Sequence, residues 1–290
     1  MTTDPSTDTC HGQPAVQLAI PAGDRATVLL HGAHVVGWTT PGGTAPAVER
    51  LYLSPTTGFG AGAAIRGGVP VVFPQFNQRG PDTGLPKHGI ARTRAWAVAD
   101  QAADRVTLQL TDDDATRALW PHRFALRLTV TLEPGALQLA LEASNTGPGR
   151  FGFTAALHTY LAVGDIAATT VAGLAGAHFL DTVVDRTGVA GAEPLAFGGE
   201  TDRIYWDAAA PLTVQSPLGA LQVTMQGFQD VVVWNPWVAR ARALPDLPDD
   251  DWRRMLCIEA AQIGRPVDLA PQARWHGVQR LALVPSRARR

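Results

Sequence analysis

Apolar and polar side chains alternate one by one along much of this chain. In RFALRLTVTL, Phe124, Leu126, Leu128, Val130 and Leu132 share one parity, while Ala125, Arg127, Thr129 and Thr131 take the other. A period of two belongs to a strand with one dry and one wetter face. The run ALQLALEAS repeats it, with Leu137, Leu139 and Leu141 set against Gln138, Ala140 and Glu142. Pro134 and Gly135 separate the two runs, which predicts an antiparallel hairpin. Shorter runs predict further strands at 26–31, 34–39, 105–111, 212–216, 219–226, 230–235 and 254–262. Helical periodicity is scarce. Only DDDATRALW at 112–120, with acids placed to cap a helix start, predicts a short turn.

Many short strands punctuated by glycine and proline predict an all-β sandwich or barrel. No alternation of strands with helices suggests a parallel sheet, and neither GxGxxG nor GxxxxGK[ST] occurs. Without an internal repeat or a linker, residues 13–286 read as one domain, since large all-β folds often reach this length undivided. Residues 1–12 and 287–290 are expected to be a flexible tail and a frayed end. The acidic PDLPDDDW at 245–252 reads as a surface loop.

Composition narrows the class. The 290 residues are 46% hydrophobic and 17% charged, enough to bury a large core without metal or disulfides. A net charge of -2 gives no overall basic field for nucleic acid or a membrane surface, so an anion site must be a local cluster of cations. Cys10 and Cys257 are the only cysteines and form neither a disulfide framework nor a metal-type spacing. The opening MTTDPSTDTCHG lacks the basic and apolar regions of a signal peptide, and no apolar run approaches the ~18 residues of a membrane span. A cytoplasmic location is expected.

Three segments carry more chemistry than a sandwich core needs. The first, IRGGVPVVFPQFNQRGPDTGLPKHGIAR at 65–92, holds Arg66, Gln75, Arg79, Lys87, His88 and Arg92 among four prolines. Rigid turns of this kind either hold polar groups at a binding rim or form an ordinary solvated loop. Arginine suits bidentate capture of phosphate or carboxylate, and lysine acts as a point charge. Lys87 is the only lysine in the chain.

In the second segment, FGFTAALHTYLAVGDI at 151–166, parity sets His158 with Thr154, Ala156 and Tyr160, opposite Phe151, Phe153 and Leu157. Histidine titrates near neutrality and serves as a general acid, yet a lone buried histidine is more often structural. In the third, Glu259 interrupts the apolar MLCIEAA. A carboxylate there is either a desolvated base or a structural acid bonded to a neighbouring loop. His31 and His34, three apart in a strand-like stretch, are expected on opposite faces. No HExxH or GxSxG occurs, so no metal is expected. Trp206, Trp234 and Trp237 are candidates for either a sugar-stacking wall or packing.

Taken in order, IRGGVPVVFPQF, LPKHGIAR, ALHTYLAVGDI, VAGLAG, TDRIYW, VVVWNPW and MLCIEAA resemble the glucose-6-phosphate 1-epimerases of the aldose 1-epimerase, or galactose mutarotase-like, superfamily. The likeness runs from GAHVVGW at 32–38 to WHGVQRL at 275–281. It implies a large antiparallel β-supersandwich, with His158 as general acid and Glu259 as general base. It also implies a second active-site histidine in His88, phosphate contacts from Arg66 and Arg92, and a sugar site lined by Gln75 and Asp202. No cofactor is implied. The expected partner is a small-molecule sugar phosphate, bound by a monomer or weak dimer.

Two departures bear on phosphate specificity rather than on the chemistry. Lys87 stands where the family carries a neutral residue such as glutamine, and ARARALPDLPDDDW replaces a stretch that usually holds a lysine and an aromatic. The alternatives are a 1-epimerase acting on unphosphorylated hexoses and a non-catalytic sugar-binding protein on the same fold.

Overall fold

The computed structural model describes residues 8–79 and 84–285, and its strands form three antiparallel sheets. The expected hairpin is there: Phe124–Glu133 pairs with Ala136–Asn145 across a turn at Pro134 and Gly135, where Gly135 takes a φ of 66°. Leu126, Leu128, Val130, Leu137, Leu139 and Leu141 are fully buried, as their shared parity predicts. This hairpin lies inside a nine-stranded sheet that runs from Leu195–Ala196 at one edge to Ala97–Gln101 at the other.

A second sheet has eight strands, seven of them in one continuous path. Its centre is Thr201–Trp206, Asp230–Asn235, Met255–Leu269 and Phe151–Leu157, side by side in that order. The short strand Tyr160–Ala162 also pairs with Met255–Leu269. One apolar cluster joins the two large sheets, drawing Leu128 and Leu139 from the first and Phe153, Val231, Val233, Ile258 and Ala260 from the second. A smaller cluster of Val72, Phe76, Ala156, Ile204, Val232, Ala261 and Ile263 gathers separately. The first part of the central strand Met255–Leu269, through Ile263, is therefore buried on both faces, which is why MLCIEAA reads as an almost unbroken apolar run.

A third sheet of five strands, Asp8–Cys10 through Ala45–Glu49, completes the structure. Asp8–Cys10 pairs with Gln13–Ala19, so part of the expected 1–12 tail is strand. Residues 1–7 and the expected frayed end at 287–290 lie outside the described residues. The turn expected at 112–120 is a helix, Asp114–Leu119, with Asp113 and Thr116 closing a reciprocal cap.

Two segments differ from expectation. A second short helix, Trp237–Arg242, follows Asn235, whose side-chain oxygen accepts from the Trp237 amide. The stretch 245–252 is not simply a surface loop: Leu247, Asp251 and Trp252 are buried. The Tyr52 hydroxyl donates to Asp251 at 2.7 Å. Among the described residues, no helix is long and apolar enough to cross a membrane.

Candidate active site

Strand register brings the chemistry together. Antiparallel partners place their side chains on the same face. One row across the second sheet consists of Asp202, Trp234, Cys257 and Tyr160, and the neighbouring row contains Ile204, Val232 and Glu259. His158 follows Phe151–Leu157 directly, and its amide donates to Pro70 O at 3.0 Å. That break turns the imidazole over the sheet, with Nε2 3.4 Å from Glu259 Oε1. Both groups are dry, His158 at 8% exposure and Glu259 at 1%. His158 Nδ1 and Glu259 Oε2 have no hydrogen-bond partner.

The pair forms the floor of a cleft of about 690 Å³, counting its open mouth. Arg66, Arg79, Lys87 and Arg240 bring positive charge to the walls, and Glu200 and Asp202 bring negative charge. Trp234 supplies an aromatic wall. Trp206 and Trp237 do not line the cleft: Trp206 packs on the smaller cluster, and Trp237 lies 4.3 Å from Trp252 between ring centroids. A larger cavity, about 1210 Å³ on the same measure, lies beside Tyr52, Asp251 and Arg254 and holds none of the expected site residues.

His88 sits at the cleft in a left-handed conformation, φ 65°, next to Gly89. Its Nδ1 accepts the Asn77 amide at 3.2 Å, which fixes the proton of a neutral ring on Nε2. Burial and the nearby cations drive its pKa far below the ordinary histidine value. His88 is thus a neutral donor, set edge-on to His158 at 5.4 Å between centroids. His158 stacks on Tyr160 at 4.8 Å. Burial, then Arg92 and Arg66, hold the His158 pKa well below its usual value. Burial, with Asp202 nearby, raises that of Glu259, and Lys87 opposes the rise.

The expected anion ligands divide. Arg66 donates to Tyr160 Oη at 3.0 Å and is paired with Asp246 at 3.2 Å. Asp246, together with Arg240 and Leu244 of the wall, belongs to the stretch that departs from the family pattern. Arg92 does not line the cleft. Its guanidinium donates to Lys87 O at 3.0 Å, bracing the turn that presents Lys87 and His88. Gln75 lies behind the cleft wall rather than among the residues that line it. It is fully buried, its amide nitrogen donates to Asn77 O at 3.3 Å, and its Oε1 has no partner. Asp202 lines the cleft.

His31 and His34 are buried outside the cleft lining, with Nε2 atoms on Ala63 O at 2.8 Å and Gly67 O at 2.7 Å. Sequence reasoning missed Asn77, Glu200, Arg240, Asp246 and Cys257. For Cys257 the signal was present: it lies two residues from Glu259 on a strand, hence on the same face.

The chain matches the family model described as Aldose 1-epimerase over residues 14–282. A protein of Cenchrus ciliaris named "Putative glucose-6-phosphate 1-epimerase" is 35% identical over 277 residues, covering 90% of this chain and 82% of the relative. One of the same name from Salmonella typhimurium is 35% identical over 249 residues, covering 83% and 81%. A Salmonella typhimurium crystal structure described as a "putative mutarotase" superposes with a TM-score of 0.86 at 31% identity, covering 97% of this chain and 93% of that one. A galactose mutarotase related enzyme from Lactobacillus acidophilus shares the fold, with a TM-score of 0.75 at 14% identity over 94% and 98% of the two chains.

Proposed function

This chain belongs to the aldose 1-epimerase family and is an isomerase that interconverts sugar anomers; we propose that its substrate is a hexose 6-phosphate, with Glu259 as general base and His158 as general acid. The observation that carries the reading is the buried His158–Glu259 pair, 3.4 Å apart at the floor of a cleft with cationic walls. A cyclic aldose opens when the anomeric hydroxyl loses a proton and the ring oxygen gains one. Glu259 takes the first and His158 supplies the second. Rotation about C1–C2 presents the other carbonyl face, and reversal of both transfers closes the ring as the opposite anomer. Each positioned transfer contributes about 10²–10⁴ in rate. His88, neutral with Nε2–H free of its Asn77 contact, donates to the sugar. Trp234 covers an apolar sugar face.

Proton bookkeeping gives the phosphate a second task. Carboxylic acid plus imidazole holds as many protons as carboxylate plus imidazolium. In the free protein, burial favours the neutral form, and Arg92, Arg66 and Lys87 disfavour the imidazolium. A phosphate beside Arg66 and Lys87 at the cleft offsets the cationic field and shifts the pair to the carboxylate–imidazolium form that reacts. The phosphate then raises kcat as well as lowering KM.

One observation favours a hexose without phosphate: Arg66 already holds Asp246 and Arg92 already holds Lys87 O. Polarimetry on fresh α-glucose 6-phosphate, beside glucose and galactose, separates the two. The proposal predicts a higher kcat/KM for the phosphorylated sugar; equal values would leave an epimerase of free hexoses.

A further inference from the structure

Cys257 has no part in the reaction above, yet it lies against the acid–base pair. Its Sγ, a ring nitrogen of His158 and a carboxylate oxygen of Glu259 all lie within 4.8 Å of one another, and all three residues are buried. Cys257 and Glu259 share a face of Met255–Leu269, and His158 comes from the neighbouring chain segment. Two of the three side chains also carry a buried polar atom without a partner, His158 Nδ1 and Glu259 Oε2. Nitrogen, sulfur and oxygen from three residues, with a cleft on the fourth side, is the donor set of an open tetrahedral zinc site. Tetrahedral zinc bonds of about 2.0–2.3 Å set ligand atoms about 3.3–3.8 Å apart, so the longest separation here has to close by about 1 Å, within reach of side-chain rotation.

We propose that His158, Cys257 and Glu259 form a binding site for a soft divalent cation, Zn²⁺ in particular, and that the ion competes with the sugar for the acid–base pair. Thiolate and imidazole select zinc over magnesium or calcium, which need several oxygen ligands. Binding is a ligand exchange without redox. The Cys257 S–H bond breaks, a Zn–S bond forms and the proton passes to solvent, followed by the Glu259 proton where the carboxyl carries one. The bound ion takes the imidazole lone pair on which the acid's proton must ride and the carboxylate lone pair that must accept one, and the enzyme stops. The competition half of this inference rests on the acid–base roles proposed above; the binding half does not.

The test has two readouts on the full chain. In the first, Co²⁺ is titrated into the protein, and the thiolate-to-cobalt charge-transfer band is followed together with proton release. In the second, anomer exchange is measured against Zn²⁺, with Mg²⁺ and EDTA as controls. The wild-type protein and Cys10→Ser should show the band and be inhibited by Zn²⁺, competitively with substrate and reversibly by EDTA. Cys257→Ala and Cys257→Ser should lose the band, turn over substrate like the wild type, and need at least about tenfold more Zn²⁺ for half-inhibition. Tenfold is the low end of what loss of even an outer support costs a metal site. Absence of the band from the wild-type protein, or equal Zn²⁺ sensitivity in wild type and Cys257→Ala, overturns the site. A band that depends on Cys257, in a protein with no anomer exchange, keeps the metal site and removes the catalytic reading instead.

Discussion

The two faces of Met255–Leu269 are equally dry and chemically unlike. Ile258 and Ala260 enter the main core, while Cys257, which also touches that core, and Glu259 occupy rows that contain Trp234, Asp202 and Val232. All four are at most 1% exposed. Burial by itself therefore does not distinguish a structural position from a reactive one. What separates the faces is that the cleft side buries ionisable groups with unpaired atoms, whereas the unpaired atoms of the main core, Trp38 Nε1 and Trp252 Nε1, belong to neutral indoles. On the core side, even Gln279 is fully engaged, accepting from Thr159 Oγ1 at 2.5 Å and donating to Ile258 O at 3.0 Å. On the cleft side, Glu259 Oε2 and His158 Nδ1 lack partners. An unpaired buried polar atom costs about 1–3 kcal/mol, a cost retained where a ligand completes the set.

Substitutions on the two faces should therefore separate stability from chemistry. The largest effect expected is on the cleft face: Glu259→Gln should lower kcat by about 10²–10⁴ while Tm holds or rises, because a buried carboxyl becomes a neutral amide. Steady-state kinetics beside a thermal melt checks both. Ile258→Ala should do the reverse, losing about 2–5 kcal/mol in denaturant unfolding with kcat retained on the folded fraction. Loss of activity without loss of stability in Ile258→Ala would break the comparison.

Lys87→Gln tests the rim. The KM for glucose 6-phosphate should rise about tenfold and that for glucose should stay put, the scale of one hydrogen bond to a charged group. The pH dependence has a definite sign. Lys87 lowers the pKa of both His158 and Glu259. Its removal raises the pH at which the pair takes a second proton and the pH at which it loses its only one. Both limbs of the pH–rate profile should move to higher pH. The smallest effect is expected at Asp246→Asn: it frees Arg66 from a partly exposed ion pair and should lower the KM for the phosphorylated sugar by no more than about fivefold.

Much of the fold was legible because alternation in a two-sided sheet is a local signal. The hairpin of Phe124–Glu133 and Ala136–Asn145, and the capped turn at Asp114–Leu119, follow from neighbouring residues alone. The pairing of His158 with Glu259 was not local. It depends on register between chain segments a hundred residues apart, and only the ordered motifs of the family pointed to it. Gln75 and Arg92 show the limit of motif transfer. Both belong to the right loop, but their side chains hold its backbone, and that distinction is set by where the carbonyls of Asn77 and Lys87 fall. Asp246 and Arg240 lay in a segment that read as a departure, yet the fold returns it to the cleft mouth. Cys257 was weighed by spacing along the chain, whereas the spacing that matters is across the sheet.

The most direct test of the acid–base account is exchange NMR on glucose 6-phosphate at anomeric equilibrium, with wild type, His158→Asn and Glu259→Gln at equal folded concentration. The account predicts anomer exchange well above the buffer rate for the wild-type protein and a fall of at least about a hundredfold in each variant. Wild-type exchange rates in both variants would contradict it.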